Sequence, residues 1–504
     1  MSAPRLNRSY WLESADVRHL PLGGDLDVDV AIVGAGITGV TAAYLLAGNG
    51  VRVALLERGG VGHGATGYTT AKLTVGHGLI YRDLVHSFGV DTARGYAASN
   101  REALDQIAAI VKERGIDCDF ERASNYVYTE TEQQVPVLER ELAAVRSAGI
   151  DAALARETDL PFRVRAAIRM DGQAQFHPWR YVSALADVVA RDGGHVFELT
   201  RATAVRRGRP CVVETASGSV RARHVIVATQ MPFLDRGFFF ARAHPMKSYA
   251  IAAPVDDAPR GMYINAEEPT RSLRSTPGPD EGRLLIVGGE GHKPGAEQDT
   301  RERYARLERF MADRFGGAEA TYRWSTHDFM PVDRLPYIGP LWPGDDRILV
   351  ATGFAKWGLT KGTLAASMLT DRILGRPNAW AKLYDSTRID PRHSVRRFAE
   401  ENAEVGLRFV RDRLRPRPGR ERVQRLAAGE GAVVRAGGRQ YAVYRDDNGR
   451  LHTLSARCTH LGCIVGWNQA DRAWECPCHG SRFAADGTLV QGPATADLPA
   501  RTLP

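Results

Sequence analysis

The sequence predicts an α/β protein: a doubly wound domain with an antiparallel sheet set into it, followed by a small all-β domain. Three observations carry this. Residues 28–57 read strand, Gly34-Ala35-Gly36-Ile37-Thr38-Gly39, helix, strand, acid. Residues 240–290 alternate apolar and polar side chains at strand period. Residues 458–483 hold two short loops, each with Cys and His, among strand-like segments. A chain of 504 residues is too long for one compact core. The expected division is an N-terminal arm over 1–25, the doubly wound unit over 26–385, a basic helix and linker over 386–420, and the β domain over 421–504.

The first motif is a dinucleotide site. Gly34 makes the tight turn, Gly36 lets the backbone approach a pyrophosphate, and Gly39 lets helix pack on strand. The helix N-terminus then faces the phosphates. Glu57, 23 residues after Gly34, stands where a carboxylate binds ribose hydroxyls, with Arg58 beside it as a further cofactor contact. The stretch GGVGHGATGYTTAKLTVGHGLIY follows, rich in Gly and Thr and too polar for a simple helix. Such a loop suits the remainder of a flavin dinucleotide, which favours FAD over NAD. Thr66, Thr69, Thr70 and Lys72 are its candidate donors.

Residues 91–115 and 130–149 have helical periodicity. Residues 173–192 read as a polar loop, then a helix entered through His177-Pro178. A strand pair is expected around HVFELT and CVVET, with Ala202 offering backbone to an adenine ring, and RARHVIVAT reads as a returning parallel strand. His177 and His224 are expected to be structural. The alternating strands of 240–290 place Tyr249, Tyr263, Arg271 and Arg274 as pocket candidates; Tyr249, Arg271 and Lys356 are the catalytic candidates. An Arg there suits a substrate carboxylate. After a charged helix at 297–316, RILVATGFAKWGLTKG reads as strand, turn at Gly353, and a helix beginning near Gly358. Its N-terminus, with Lys356 or Thr360, can stabilise negative charge on a reduced flavin. No cysteine lies in this loop, so a Cys-linked flavin is not expected there.

In the last domain, GGRQYAVYR and RLHTLSA flank a hairpin turn at Asp446 to Gly449. Then come Cys458-x-His460 and Cys476-x-x-His479. Two thiolates and two imidazoles suit a [2Fe–2S] centre with two Cys on one iron and two His on the other. Zinc also takes mixed Cys/His sets, but this spacing is not that of a usual zinc finger.

The motifs of 458–483, with Gly480-Ser481 and the later Gly492-Pro493, closely resemble the Rieske family in its disulfide-bearing form. The resemblance implies that Cys463 and Cys478 bond to each other and clip the loops together. It also implies that Ser481 donates to a bridging sulfide. Position 483 is Phe where respiratory relatives carry Tyr, so a reduction potential below the respiratory end is expected. The first unit resembles FAD-dependent oxidoreductases of the D-amino-acid oxidase and sarcosine oxidase type. TTAKLT followed by HGLIY resembles the bacterial subgroup that fuses this flavoprotein to a C-terminal Rieske domain; Asp328, Asp333 and Pro336-Tyr337 match its loop before the flavin helix.

The resemblance implies oxidation of an amine or amino acid at a C–N bond, with electrons passing from FAD through the cluster to an external one-electron carrier protein. The alternative is a redox carrier or sensor, or a flavoprotein fed through the cluster, without amine turnover. A mononuclear-iron oxygenase is disfavoured because none of the 14 His are four or five apart. Residues 386–430 hold 12 Arg against 7 Asp plus Glu, which is +5 of the net +8. The plain reading is a solvated helix and linker; the sharper one is a docking face for an acidic electron-transfer partner. Aromatics are sparse there, so nucleic acid is not expected. Cys118 and Cys211 read as buried thiols. No apolar run approaches a membrane span of roughly 18–20 residues, and the first residues show no signal-peptide core or twin arginine. The expected compartment is the cytoplasm.

Overall fold

The structure is a computed structural model and describes residues 5–6, 8–279, 282–295, 299–317, 319–389 and 391–504. The doubly wound sheet has a parallel centre in the order His195–Phe197, Val53–Leu56, Leu26–Val33, Ser219–Val227, Ile348–Thr352, with Tyr337–Pro340 antiparallel at the edge. Strand Leu26–Val33 is apolar because both its faces are covered. Val30 and Ile32 join a core shared with the helices Ile37–Ala47, Pro178–Arg191 and Gly358–Ile373. Val28, Ala31 and Val33 join the core on the other face with Val213 and Val225. His177 caps the helix Pro178–Arg191, its Nδ1 accepting from Arg180 N–H at 3.3 Å.

One pairing differs from the sequence expectation. His195–Phe197 pairs parallel with Val53–Leu56, while Cys211–Glu214 pairs antiparallel with Ala204–Arg206 and Ser219–Val227. Cys211–Glu214 takes its near neighbours along the chain, since short loops cost less closure entropy, while His195–Phe197 is carried back to the parallel sheet by the helix Pro178–Arg191 before it.

The second sheet has ten strands among the described residues, and residues 240–290 supply only its centre. Ala243–Val255 lies between Tyr322–Pro331 and Arg283–His292; Arg271–Pro277 and Met262–Asn265 follow, then Glu121–Thr129 and Ala166–Gln175. Residues 173–175, which read as polar loop, end the strand Ala166–Gln175. Their polarity is satisfied inside: Gln173 Oε1 accepts from Val75 N–H at 2.9 Å, and Gln175 Nε2 donates to Glu121 at 2.8 Å.

The C-terminal domain is all-β, with a three-stranded sheet over 431–455 and a four-stranded sheet over 466–491. Trp474, Phe483 and Leu454 pack its core. Between the two units runs the helix Pro391–Leu414. It is tied on one side rather than solvated all round. Asn402 Nδ2 donates to Ala241 O at 2.9 Å, Lys293 pairs with Glu401 and Glu404, and Arg413 Nη2 donates to Gly462 O at 2.7 Å. Among the described residues no helix is long and apolar enough to cross a membrane.

Candidate functional site

A cavity of about 690 Å³ opens at the carboxyl ends of the parallel strands. Gly34 and Gly36 form its rim. Gly34 takes φ +102°, and a Cβ there would lie 2.7 Å from Ala228 O, so only glycine makes this turn. Gly39 does not line the cavity; a Cβ on it would stand 1.8 Å from Gly34 O, because helix and strand touch there. Gly39→Ala is therefore expected to push the loop apart and yield protein without flavin, read by absorbance near the flavin bands.

Glu57, Arg58, Thr66, Thr70 and Ala202 also line the cavity. Glu57 accepts from the N–H groups of Ala35 and Gly59, both at 2.9 Å, which fixes its carboxylate beside the glycine loop. Thr66 Oγ1 accepts from Ile37 N–H at 3.0 Å, at the first turn of the helix. Lys72 Nζ donates to Tyr263 O at 2.5 Å and Ser272 Oγ at 2.7 Å.

At the other end, Trp357, Gly358 and Leu359 present the start of the helix Gly358–Ile373. The N–H groups of a helix's first turn have no intrahelical acceptor. Ala355 and Lys356 take left-handed backbone, φ +50° and +70°, to turn the chain into that helix. Lys356 lines the cavity with Asp328. Burial pushes the Asp328 carboxyl up to about 6; burial pushes Lys356 down, with Asp328 opposing.

Several sequence candidates lie elsewhere. Thr360 Oγ1 donates to Asn100 Oδ1 at 2.7 Å behind the cavity. Gly353 packs on Pro331 in the turn. Arg271 does not reach the cavity; its Nη2 donates to Glu290 Oε1 at 2.6 Å, and Glu290 also binds Arg303 and Arg306. Arg274 donates to the Ala71 and Phe176 carbonyls. Tyr263 binds Asp159. Tyr249 does line the cavity, but its hydroxyl is engaged with His292 Nε2 at 3.0 Å.

In the C-terminal domain, the two loops face each other. Cys463 and Cys478 are disulfide-bonded, so the close thiol trio Cys463, Cys476 and Cys478 is not itself a metal set. Cys458 and Cys476 are free and buried. The Cys458 and Cys476 sulfurs face each other, with the backbone of His460 and Leu461 and the Ser481 hydroxyl near the first and the backbone of Cys478 and His479 near the second. The rings of His460 and His479 lie 4.9 Å apart, and both Nδ1 atoms are buried without a hydrogen-bond partner. Burial, then His460, pushes His479 down to about 3, which keeps its imidazole neutral, the form that binds metal. Two sulfurs and two uncommitted ring nitrogens fit a [2Fe–2S] cluster. Phe483 is buried opposite Trp474 on the neighbouring strand.

The two sites share a wall. Asp471, Arg482, Val490 and Gln491 of the C-terminal domain line the first unit's cavity. The strand Tyr322–Pro331 serves both, since alternate side chains face opposite ways. Trp324, Thr326 and Asp328 line the cavity, with Ser325 also at its margin; His327 Nδ1 donates to Gly480 O at 2.9 Å, beside His479. Next to it lies a dry ion cluster. Lys247 is 0% exposed and pairs with Asp471 and Glu475. Arg482 Nη2 donates to Asp471 at 3.0 Å, and Ser325 Oγ to the same carboxylate at 2.5 Å. Burial would push the Glu475 carboxyl up; Lys247 leads the groups that instead hold it well below the usual range. None of Lys247, His327, Asp471 and Arg482 belongs to a sequence motif, so no signal along the chain marked them.

A dinucleotide cavity and two facing Cys/His loops that fit an iron–sulfur cluster, packed wall to wall in one chain, define a flavin- and iron–sulfur-dependent redox protein. The chain belongs to the family described as FAD dependent oxidoreductase (DAO), which residues 29–372 match, and carries a Rieske [2Fe-2S] domain over 421–502. Its cofactors are FAD and a Rieske-type [2Fe–2S] cluster. It is 36% identical to the Rieske 2Fe-2S iron-sulfur protein YhfW of Bacillus subtilis (strain 168), over 97% of this chain and 96% of that one. It is 26% identical to gamma-glutamylputrescine oxidoreductase of Escherichia coli (strain K12), over 74% of this chain and 91% of that one. Glycine oxidase from Geobacillus kaustophilus shares the fold at TM-score 0.62 and 21% identity, covering 72% of this chain and 100% of that one.

Proposed function

We propose that this enzyme oxidises an amine or amino acid at a C–N bond and passes the electrons through the Rieske cluster to an external one-electron carrier. The carrying observation is the strand Tyr322–Pro331, whose Thr326 and Asp328 face the cavity while His327 holds the carbonyl next to His479. A two-electron site and a one-electron site built on one strand suit an internal relay. The names of the relatives, which act on glycine and gamma-glutamylputrescine, support a C–N donor.

When bound, FAD supplies a hydride acceptor and the cluster a one-electron carrier. Gly34, Gly36, Glu57, Arg58, Thr66, Thr70 and Ala202 would hold the dinucleotide; Cys458, Cys476, His460 and His479 would hold the cluster. Lys356 and the free N–H groups of Gly358 and Leu359 stabilise negative charge at their end of the cavity. Tyr249, tied to His292, shapes the wall. Arg271, neutralised by Glu290, supports that wall instead of gripping a carboxylate. Asp471, Arg482 and Gln491 form the wall of the cavity on the side of the C-terminal domain.

The test is anaerobic titration of the holoprotein with a panel of amines and amino acids, followed by visible absorption and EPR. Bleaching of the flavin followed by growth of the reduced Rieske signal is expected. Flavin bleaching with a cluster that stays oxidised would rule out the relay.

A further inference from the structure

The histidine edge of the iron–sulfur site is covered by the first unit. The turn Asp235–Gly237 and the short helix Phe239–Arg242 lie across it. The Phe240 ring packs edge-on against both imidazoles, centroids 5.8 Å from His460 and 5.2 Å from His479. Asp235 Oδ1 accepts from His460 Nε2 at 2.8 Å. The His460 side chain is only 4% exposed, whereas that of Asp235 is half exposed. The chain that brings Asp235 here comes straight from the flavin cavity, which Gln230, Met231 and Phe233 line.

We propose that Asp235 is a positioning residue for the cluster, fixing the His460 tautomer that presents Nδ1 to iron and lowering the cluster's reduction potential. This role rests on the ligand set proposed above. The geometry gives two reasons. A neutral imidazole has one N–H; the Asp235 carboxylate takes it at Nε2, which leaves the Nδ1 lone pair turned to the buried side, where no other partner meets it. A carboxylate on the outer nitrogen also raises the basicity of the ligand, which favours the oxidised metal. The Asp235 carboxylate would oppose the negative charge that one electron from the reduced flavin, or from dithionite in the titration, would add to a bound cluster, with no bond formed or broken. Phe240 covers that edge from one side, while the half-exposed carboxylate lets solvent screen part of the repulsion.

The experiment uses full-length holoprotein at pH 7. Asp235→Asn, Asp235→Glu and Phe240→Leu are titrated potentiometrically with dithionite and mediators, reading the Rieske EPR signal, with iron and flavin counted. Asp235→Asn keeps the shape and loses the charge. Its midpoint is expected to rise by about 59 mV, the equivalent of a tenfold shift in a one-electron equilibrium. Asp235→Glu is expected near the parent value. A midpoint in Asp235→Asn equal to the parent, at equal iron content, overturns the proposal. An equal rise in Phe240→Leu, which keeps the carboxylate, also overturns it, because exposure of the edge then sets the potential. If Asp235→Asn retains no iron, retention in Asp235→Glu upholds the positioning role and loss in both overturns it. A parent protein with no Rieske signal removes the ligand set, and this role with it.

Discussion

Lys247→Met is expected to loosen the C-terminal domain from the first unit by about 3–5 kcal/mol, the usual cost of removing one partner from a buried ion pair. Lys247 sits on the strand Ala243–Val255 and meets Asp471 and Glu475, 224 and 228 residues further on. Two carboxylates would remain in a dry interface with Arg482 as their main cation. Burying an unpaired charge costs far more than an exposed pair returns. The chain has two units, so a single unfolding energy is not well defined. The readings are an earlier first thermal transition and faster tryptic cleavage beside the linker at Arg411, Arg413 or Arg420, which, unlike Arg415 and Arg417, do not precede proline. Adding Asp471→Asn is expected to restore part of the loss, since it removes one of the stranded charges. An unchanged first transition in Lys247→Met would mean that this cluster does not hold the domains together.

Cys476→Ser is expected to abolish the cluster and leave the flavin in place. Iron falls from about two atoms per chain to near zero, because a hydroxyl does not replace a thiolate on a soft iron site. The flavin stays because the glycine loop, Glu57 and the Thr66–Thr70 loop all belong to the first unit. The Cys463–Cys478 bond and the core around Trp474 and Phe483 keep the β domain folded. An amine that bleaches the parent flavin is expected to bleach this variant too, while reduction of a one-electron protein acceptor drops to background. Full acceptor reduction in an iron-free variant would show that electrons leave from the flavin. Measuring both rates on one preparation separates the first half of the proposed function from the second.

The legible parts of this protein share one property: their chemistry is confined to a short stretch. Gly34, Gly36 and Gly39 are fixed by a turn and a helix contact within a few residues of one another, and Glu57 returns to that loop on the next strand. Cys458, His460, Cys476 and His479 sit in two loops joined by a hairpin of strands. Local spacing is enough to propose the donor set, and the surrounding strands follow from period and turn chemistry. Arg271 marks where this stops. Alternation put it on a sheet of the right kind, but Glu290 on the next strand and Arg303 and Arg306 on the helix Arg301–Phe315 decided where its charge went.

The sequence by itself determined that there are two cofactor sites and which fold holds each, and it offered the glycine loop and the cysteine–histidine set as the residues to hold them. Only the tertiary structure decided how the sites meet. Lys247 and His327, on two neighbouring strands of the large sheet, find Asp471, Glu475 and Gly480 in a domain that begins more than 90 residues later. Asp235, in a turn with no motif, finds His460. No pattern along the chain encodes such contacts, because they depend on which surfaces two separately folded units bury against each other. A charge that reads as ordinary surface in its own stretch becomes a buried partner only once the other domain has excluded the water.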